Sequence, residues 1–278
     1  MSAISNILPW ASKNRDRFTY GVEYTSENHV TKFFTGNIFA EYTKAKAMEV
    51  ALAGTPFRVP RALCFDYGLN CVEFEYIKDA ISLQFVLENA FQTRRLDHVI
   101  KFNENAAMLL GTLHIQLSVP NARRWLPPDS LISRATKAGY HLDLIEDVFL
   151  HCDFSPMNLL IGPDDQITVI DPSPNSYFTD YACLKGNRLV DIATYTTKLL
   201  WPFRLSAYSV EWRKFIKSLR EDFVNIYEFS CGRNVDRNLL KFFEDEVLKC
   251  FVEWKTKHSV VQWSAEKLGR VVMNHARR

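Results

Sequence analysis

The sequence predicts an α+β protein in two parts: a small β-rich unit carrying one helix over residues 1–77, and a larger, mainly helical unit over residues 78–278. Three observations carry this. The first part alternates polar with aromatic or β-branched side chains, the period of a half-buried strand. Beyond Lys78 the apolar residues fall instead at helical spacing. Between Val148 and Asp171 a second β-rich stretch interrupts the helices and gathers the polar residues best suited to chemistry.

Taken in order, RFTYGVEY (17–24) and HVTKFF (29–34) flank the turn-like TSEN and read as a β-hairpin. IFAEYTKAKAMEVALA (38–53) places apolar and small residues at helical spacing, with Gly54 and Pro56 as the stop. PRALCFDYG and NCVEFEYI are two further strands around Gly68-Leu69-Asn70. Leu83, Val86, Leu87, Ala90 and Phe91 make one helical stripe; Leu96, Val99, Ile100, Ala106, Leu110, Leu113 and Leu117 make a longer one. Pro120, Pro127 and Pro128 then predict a loop. After Leu189 the helices return, with Trp212, Phe215, Ile216, Leu219, Phe223 and Ile226 on one face and Leu240, Phe243, Val247, Cys250 and Trp254 on another. These stripes are core.

Composition narrows the function classes. At 47% hydrophobic and 24% charged the chain is ordinarily globular, and a formal net charge of +2 supplies no field that would call for a nucleic-acid partner. The N-terminus has no basic start followed by an apolar run, and no stretch approaches the ~18 apolar residues of a membrane span. The expectation is a cytoplasmic protein. Six cysteines without a C-x-x-C pair argue against a zinc cage or a redox dithiol, and read as small buried hydrophobes. Only ten glycines occur in 278 residues, so no glycine run is available to wrap a phosphate.

The informative stretch is VFLHCDFSPMNLLIGPDDQITVIDP, residues 148–172. Within it, NLLI, the turn Gly162-Pro163-Asp164-Asp165 and ITVI form a hairpin signal. A two-strand hairpin brings its ends together, so Asn158 and Asp171 stand side by side, with Asp153 on the preceding loop next to both. Three converging oxygen-bearing side chains suit a hard divalent cation such as Mg²⁺, which takes few protein ligands and fills its shell from phosphate and water.

The order H-x-D-x4-N, strand, turn, strand, D resembles the catalytic core of the protein-kinase-like superfamily. HCDFSPMNLLI is similar to the H-G-D-x-H-x-x-N-x-L of its aminoglycoside phosphotransferase and choline kinase branch, with Cys152 where Gly is common and Ser155 where His is common. LGTLH (110–114) resembles that branch's L-x-x-L-H helix end, and RLVDIA (188–193) the D-L-A after the metal Asp. The resemblance spans about Ser12 to about Leu200. It implies a bilobal protein-kinase-like fold, with residues 1–77 as the nucleotide-binding lobe and 78–278 as the catalytic and acceptor-binding lobe. It implies ATP and Mg²⁺ as cofactors, Asp153 as the catalytic residue that meets the acceptor hydroxyl, and Asn158 and Asp171 as metal ligands.

The remaining parts follow from the same resemblance. Lys32 occupies the strand position of the lysine that reaches the α- and β-phosphates, with Glu41, one turn into the helix, preferred over Glu49 as its partner. The backbone of Glu75, Tyr76 and Ile77 would face adenine. ASKNRDR (11–17) stands where the glycine-rich loop belongs, making Ser12 and Asn14 the phosphate-covering residues. His151 and His114 read as buried structural histidines, and Asp191 as a brace for the catalytic loop's backbone.

The activity implied is transfer of the γ-phosphate of Mg-ATP to a hydroxyl of a small molecule: a sugar, polyol, amino alcohol or antibiotic. Two alternatives stay open, a protein kinase and a catalytically inactive kinase-like protein that binds nucleotide or a partner. Against the first, 20 positions separate Asp171 from Asp191 and no A-P-E motif lies between. Residues 201–278 hold 15 Lys and Arg against ten Asp and Glu, which favours a neutral or anionic acceptor over a polycationic one, unless Glu244-Asp245-Glu246 face the pocket.

Overall fold

The computed structural model describes residues 19–26, 28–34, 38–93, 96–117, 122–142, 146–173, 175–179, 181–200 and 210–258. The chain opens with the hairpin of β1 (Thr19–Ser26) and β2 (His29–Phe34), followed by α1 (Ile38–Leu52), β3 (Ala62–Asp66) and β4 (Cys71–Glu75). The four strands form one antiparallel sheet in the order β1-β2-β4-β3, with Lys32 opposite Val72.

Helix α1 is buried on two sides. Ile38 and Ala45 pack with Ala62, Val72 and Phe74 of the sheet, while Met48, Ala51 and Leu52 belong to the main core of the molecule. This double burial draws Glu41 and Lys44 out of solvent, and buried ionic side chains need partners. Their partners lie in the site described below.

The second part runs β5 (Ile81–Ser82), α2 (Leu83–Thr93), α3 (Leu96–Gln116), α4 (Asp129–Lys137), β6 (Val148–Phe149), β7 (Leu159–Ile161), β8 (Ile167–Val169), β9 (Lys185–Gly186), α5 (Leu189–Leu200), α6 (Val210–Cys231) and α7 (Arg237–His258). α4 falls where the prolines predict a loop. Pro128 sits before its first turn, where a missing amide costs nothing, and Leu131 and Ala135 are its buried residues. Two apolar positions give too short a period to read.

Among the helices, α3 packs on α6 and α5 on α7. Buried Asn103 ties three of them together: its Nδ2 donates to Leu219 O at 2.8 Å and its Oδ1 accepts from Tyr195 OH at 2.9 Å. Tyr195 in turn stacks on Phe223, ring centroids 4.1 Å apart. The β7–β8 hairpin pairs Leu159 with Val169 and Ile161 with Ile167, and β5 adds to its other edge. Arg58, between α1 and β3, lies parallel to β8, exchanging bonds of 3.0 Å with Ile167 O and 2.9 Å with Val169 N. The two parts are thereby stitched together at the hairpin that carries the polar cluster.

Candidate active site

The β7–β8 register places Asn158 opposite Ile170, whose amide donates to Asn158 O at 2.9 Å. Asp171 follows at once, in the left-handed region at φ 58°. Asn158 ends the 3-10 turn Pro156–Asn158, and its Nδ2 donates to the Asp153 carbonyl at 2.9 Å and to Asp153 Oδ2 at 3.0 Å. The amide nitrogen is thereby committed to the loop, and Oδ1 is the atom of Asn158 that could ligate a metal. Asp171 presents a carboxylate about one-third exposed (30%). A neutral amide oxygen and a carboxylate on adjoining strand ends are the donor set that Mg²⁺ accepts.

Lys32 reaches the same place from the sheet, its Nζ 2.8 Å from Asp171 Oδ1 and 2.7 Å from Glu41 Oε1. Of the two glutamates that the helix offers, Glu41 meets Lys32, whereas Glu49 accepts from the amide of Ala62 on β3 at 2.6 Å and pairs with Lys46. Burial alone would lower the pKa of the Lys32 ammonium, but Asp171 and Glu41 more than reverse this and hold it charged. Burial pushes Glu41 up to about 7, against the pull of Lys32.

The loop before the hairpin is held by its backbone. Asp191, fully buried in the first turn of α5, accepts from the amides of His151 and Cys152, both at 2.7 Å. His114 stands between Asp191 Oδ2 and the Tyr227 hydroxyl, 2.7 Å from the latter. His151 donates from Nε2 to Ile170 O at 3.0 Å and accepts at Nδ1 from the Asp153 amide at 3.3 Å, a neutral ring serving two backbone groups. Burial holds its pKa down at about 4, so it stays neutral. Both histidines and Asp191 therefore shape the loop. Cys152 has φ 68°, which explains why glycine suits the position.

The structure also brings in residues that the sequence reading passed over. Lys198 Nζ lies 2.7 Å from Asp153 Oδ1, and the Tyr177 hydroxyl donates to the same oxygen at 3.3 Å. Lys44, fully buried on α1, donates to Ser173 O at 2.5 Å and to Cys152 Sγ at 3.2 Å. A signal for each existed. Lys198 is seven residues after Asp191 on one helix, hence on the face that meets the loop, and Lys44 is three residues after Glu41.

Glu75 ends β4, and its carboxylate pairs with Arg58 and Arg61. The amides of Glu75 and Tyr76 donate to Arg61 O at 3.0 Å and Asn28 O at 2.7 Å, so residues flanking β3 and β2 already hold those two donors. Ile77 follows directly. Ser12 and Asn14 lie outside the described residues. Among the described residues no helix is long and apolar enough to cross a membrane, and no group of three His, Cys, Asp or Glu side chains forms a metal cluster.

A small sheet with one buried helix, docked on a helical unit whose hairpin and preceding loop carry Asp153, Asn158 and Asp171, is a protein-kinase-like fold, and solved small-molecule kinases share it. One is a choline/ethanolamine kinase family protein from Mesorhizobium loti, at 13% identity over 92% of this chain and 83% of that one, with a TM-score of 0.56. A glucosamine kinase in complex with glucosamine, ADP and inorganic phosphate matches at 14% identity over 91% and 76% of the two chains, TM-score 0.63. The AMP-bound spectinomycin phosphotransferase APH(9)-Ia matches at 11% identity over 93% and 88%, TM-score 0.54. No sequence-family model and no curated protein matches the chain. At these identities the likeness establishes the fold.

Proposed function

We propose that the protein transfers the γ-phosphoryl group of ATP to a hydroxyl of a small molecule. The observation that carries this reading is that Lys32 joins Glu41 and Asp171 while Asn158 holds Asp153, the two groups being linked where the Ile170 amide donates to Asn158 O. In this reading Lys32, steadied by Glu41, binds the α- and β-phosphates, and the backbone around Glu75 to Ile77 receives the base. Ser12 and Asn14 cover the phosphates. Asp153 orients the acceptor hydroxyl and takes its proton.

Asn158 Oδ1 and the Asp171 carboxylate would hold Mg²⁺, which neutralises charge on phosphate oxygens when bound. The chain's own contribution is positioning and charge stabilisation, because the transition state of phosphoryl transfer is loose. The described residues between 172 and 188 form no helix that could serve as a peptide platform, which favours a small acceptor.

The test is Mg-ATP-dependent phosphate transfer to a panel of hydroxyl compounds by the pure protein. Asp153→Ala should lower transfer by ~10²–10⁴ while Mg-ATP still raises the melting temperature. Near wild-type turnover in that variant would remove the reading.

A further inference from the structure

We propose that Lys198 and Tyr177 form the acceptor subsite and select a hydroxyl compound that also carries an anionic group, a carboxylate or a phosphate. This rests on the phosphotransferase reading above and names its substrate class. The Asp153 carboxylate is divided among three neighbours: Oδ2 receives Asn158, and Oδ1 receives Lys198 at 2.7 Å and Tyr177 at 3.3 Å. Asn158 therefore bounds the Oδ2 side of Asp153, and Lys198 and Tyr177 the Oδ1 side. A hydroxyl that reaches Asp153 from there carries its other substituents against the Lys198 ammonium. That side chain is only 13% exposed, and its Nζ stands 5.5 Å from the Tyr177 ring centroid.

In so sheltered a place bulk salt screens little, so the sign of the acceptor's charge matters. An anionic substituent gains a charge-assisted donor from Lys198, whose ammonium has hydrogens beyond the one given to Asp153, whereas a cationic one meets like charge. The nearest acid, Asp153, shares the Lys198 ammonium at 2.7 Å, and two acids of α7 are engaged elsewhere. Glu244 and Glu246 of α7, the helix packed on α5, are buried and already paired, Glu244 with Arg220 at 2.7 Å and Glu246 with Arg134 at 2.7 Å. The mounting of Lys198 is also fixed. Thr194 and Thr196 bond back to Val190 and Ile192 carbonyls, and Thr197 Oγ1 donates to Glu244 O at 3.3 Å across to α7.

The experiment uses two matched series at constant ionic strength: glucuronate, glucose and glucosamine, and glycerate, glycerol and serinol. Transfer is read as kcat/KM with Mg-ATP, and binding as a titration of the protein saturated with Mg-ADP. The anionic member should be preferred over the cationic one by about tenfold or more, the scale of one charge-assisted bond. Lys198→Met should compress that ratio to about threefold or less, Lys198→Arg should keep it, and Tyr177→Phe should fall between. A ratio within one variant is insensitive to the fraction folded, so a purely structural Lys198 would leave it unmoved.

Preference for the cationic members, a ratio unchanged in Lys198→Met, or failure of every anionic member to bind would overturn the proposal. If Mg-ATP still stabilises the protein in those cases, the phosphotransferase reading stands. If wild type does not bind Mg-ATP, that reading falls and takes the subsite with it.

Discussion

Cys152 shows what one residue contributes to the loop. Its left-handed backbone, φ 68°, costs a side-chain-bearing residue about 1–2 kcal/mol, and its thiol offsets this by meeting Lys44 Nζ at 3.2 Å and Cys183 Sγ at 3.6 Å. Cys152→Ala removes the thiol and keeps the strain, whereas Cys152→Gly removes both. The glycine variant should be the more stable of the two by about 1 kcal/mol in urea denaturation; an alanine variant of equal or greater stability would show that the backbone carries no strain.

His151 makes the loop sensitive to acid. Its folded pKa, about 4, lies below the ordinary 6.5, so between those values the unfolded chain binds a proton that the native chain does not. Its contribution is complete above pH 6.5 and is lost as pH falls towards about 4, by about 3 kcal/mol in all. Asp191, held below the ordinary carboxylate range by His114 against its burial, adds a further loss at still lower pH. In His151→Gln the slope of stability against pH over that interval should flatten relative to wild type; parallel slopes would place the acid sensitivity elsewhere.

Elements reveal which patterns carry through to structure. Hairpin closure correctly juxtaposes Asn158 and Asp171, because strand pairing and a four-residue turn are local. The pairing of Lys32 with Glu41 is also readable, since a strand lysine and the next helix's first turn are near neighbours. α4 escapes notice because its burial rests on two residues, too few to make a period. The contact of α3 with α6 depends on an absence: a Cβ at Gly111 would stand 2.0 Å from Ser230 Oγ and 3.1 Å from Ser230 Cβ. Gly111→Val should force these helices apart and cost about 1–3 kcal/mol, read as a drop in the urea midpoint. A midpoint within error of wild type would mean that α6 yields freely.

For the molecule as a whole, the small sheet is no free-standing unit. Met48, Ala51 and Leu52 of α1 lie in the main core, Lys44 donates to Ser173 O, Lys32 pairs with Asp171, and Arg58 adds to the β8 edge. These links predict one cooperative transition, with far-UV circular dichroism and tryptophan fluorescence, to which buried Trp125 and Trp212 contribute, changing together. Met48→Ala, a fully buried truncation, should shift that single transition by about 2–4 kcal/mol. Two separated transitions, with only the first moved, would show that the sheet and α1 unfold alone.

The sequence by itself determines the hairpin, the three oxygen-bearing residues around it and the order of the longer strands and helices other than α4, because periodicity and turn chemistry act between residues close along the chain. The partners of those residues are settled only by tertiary structure. Lys198 meets Asp153 across 45 positions and Lys44 meets Cys152 across 108. A lysine on a helix has the same local pattern whether it faces water or a buried carboxylate. Only the docking of α5 and α1 against the loop decides between them, through the desolvation that makes a buried charge find its opposite.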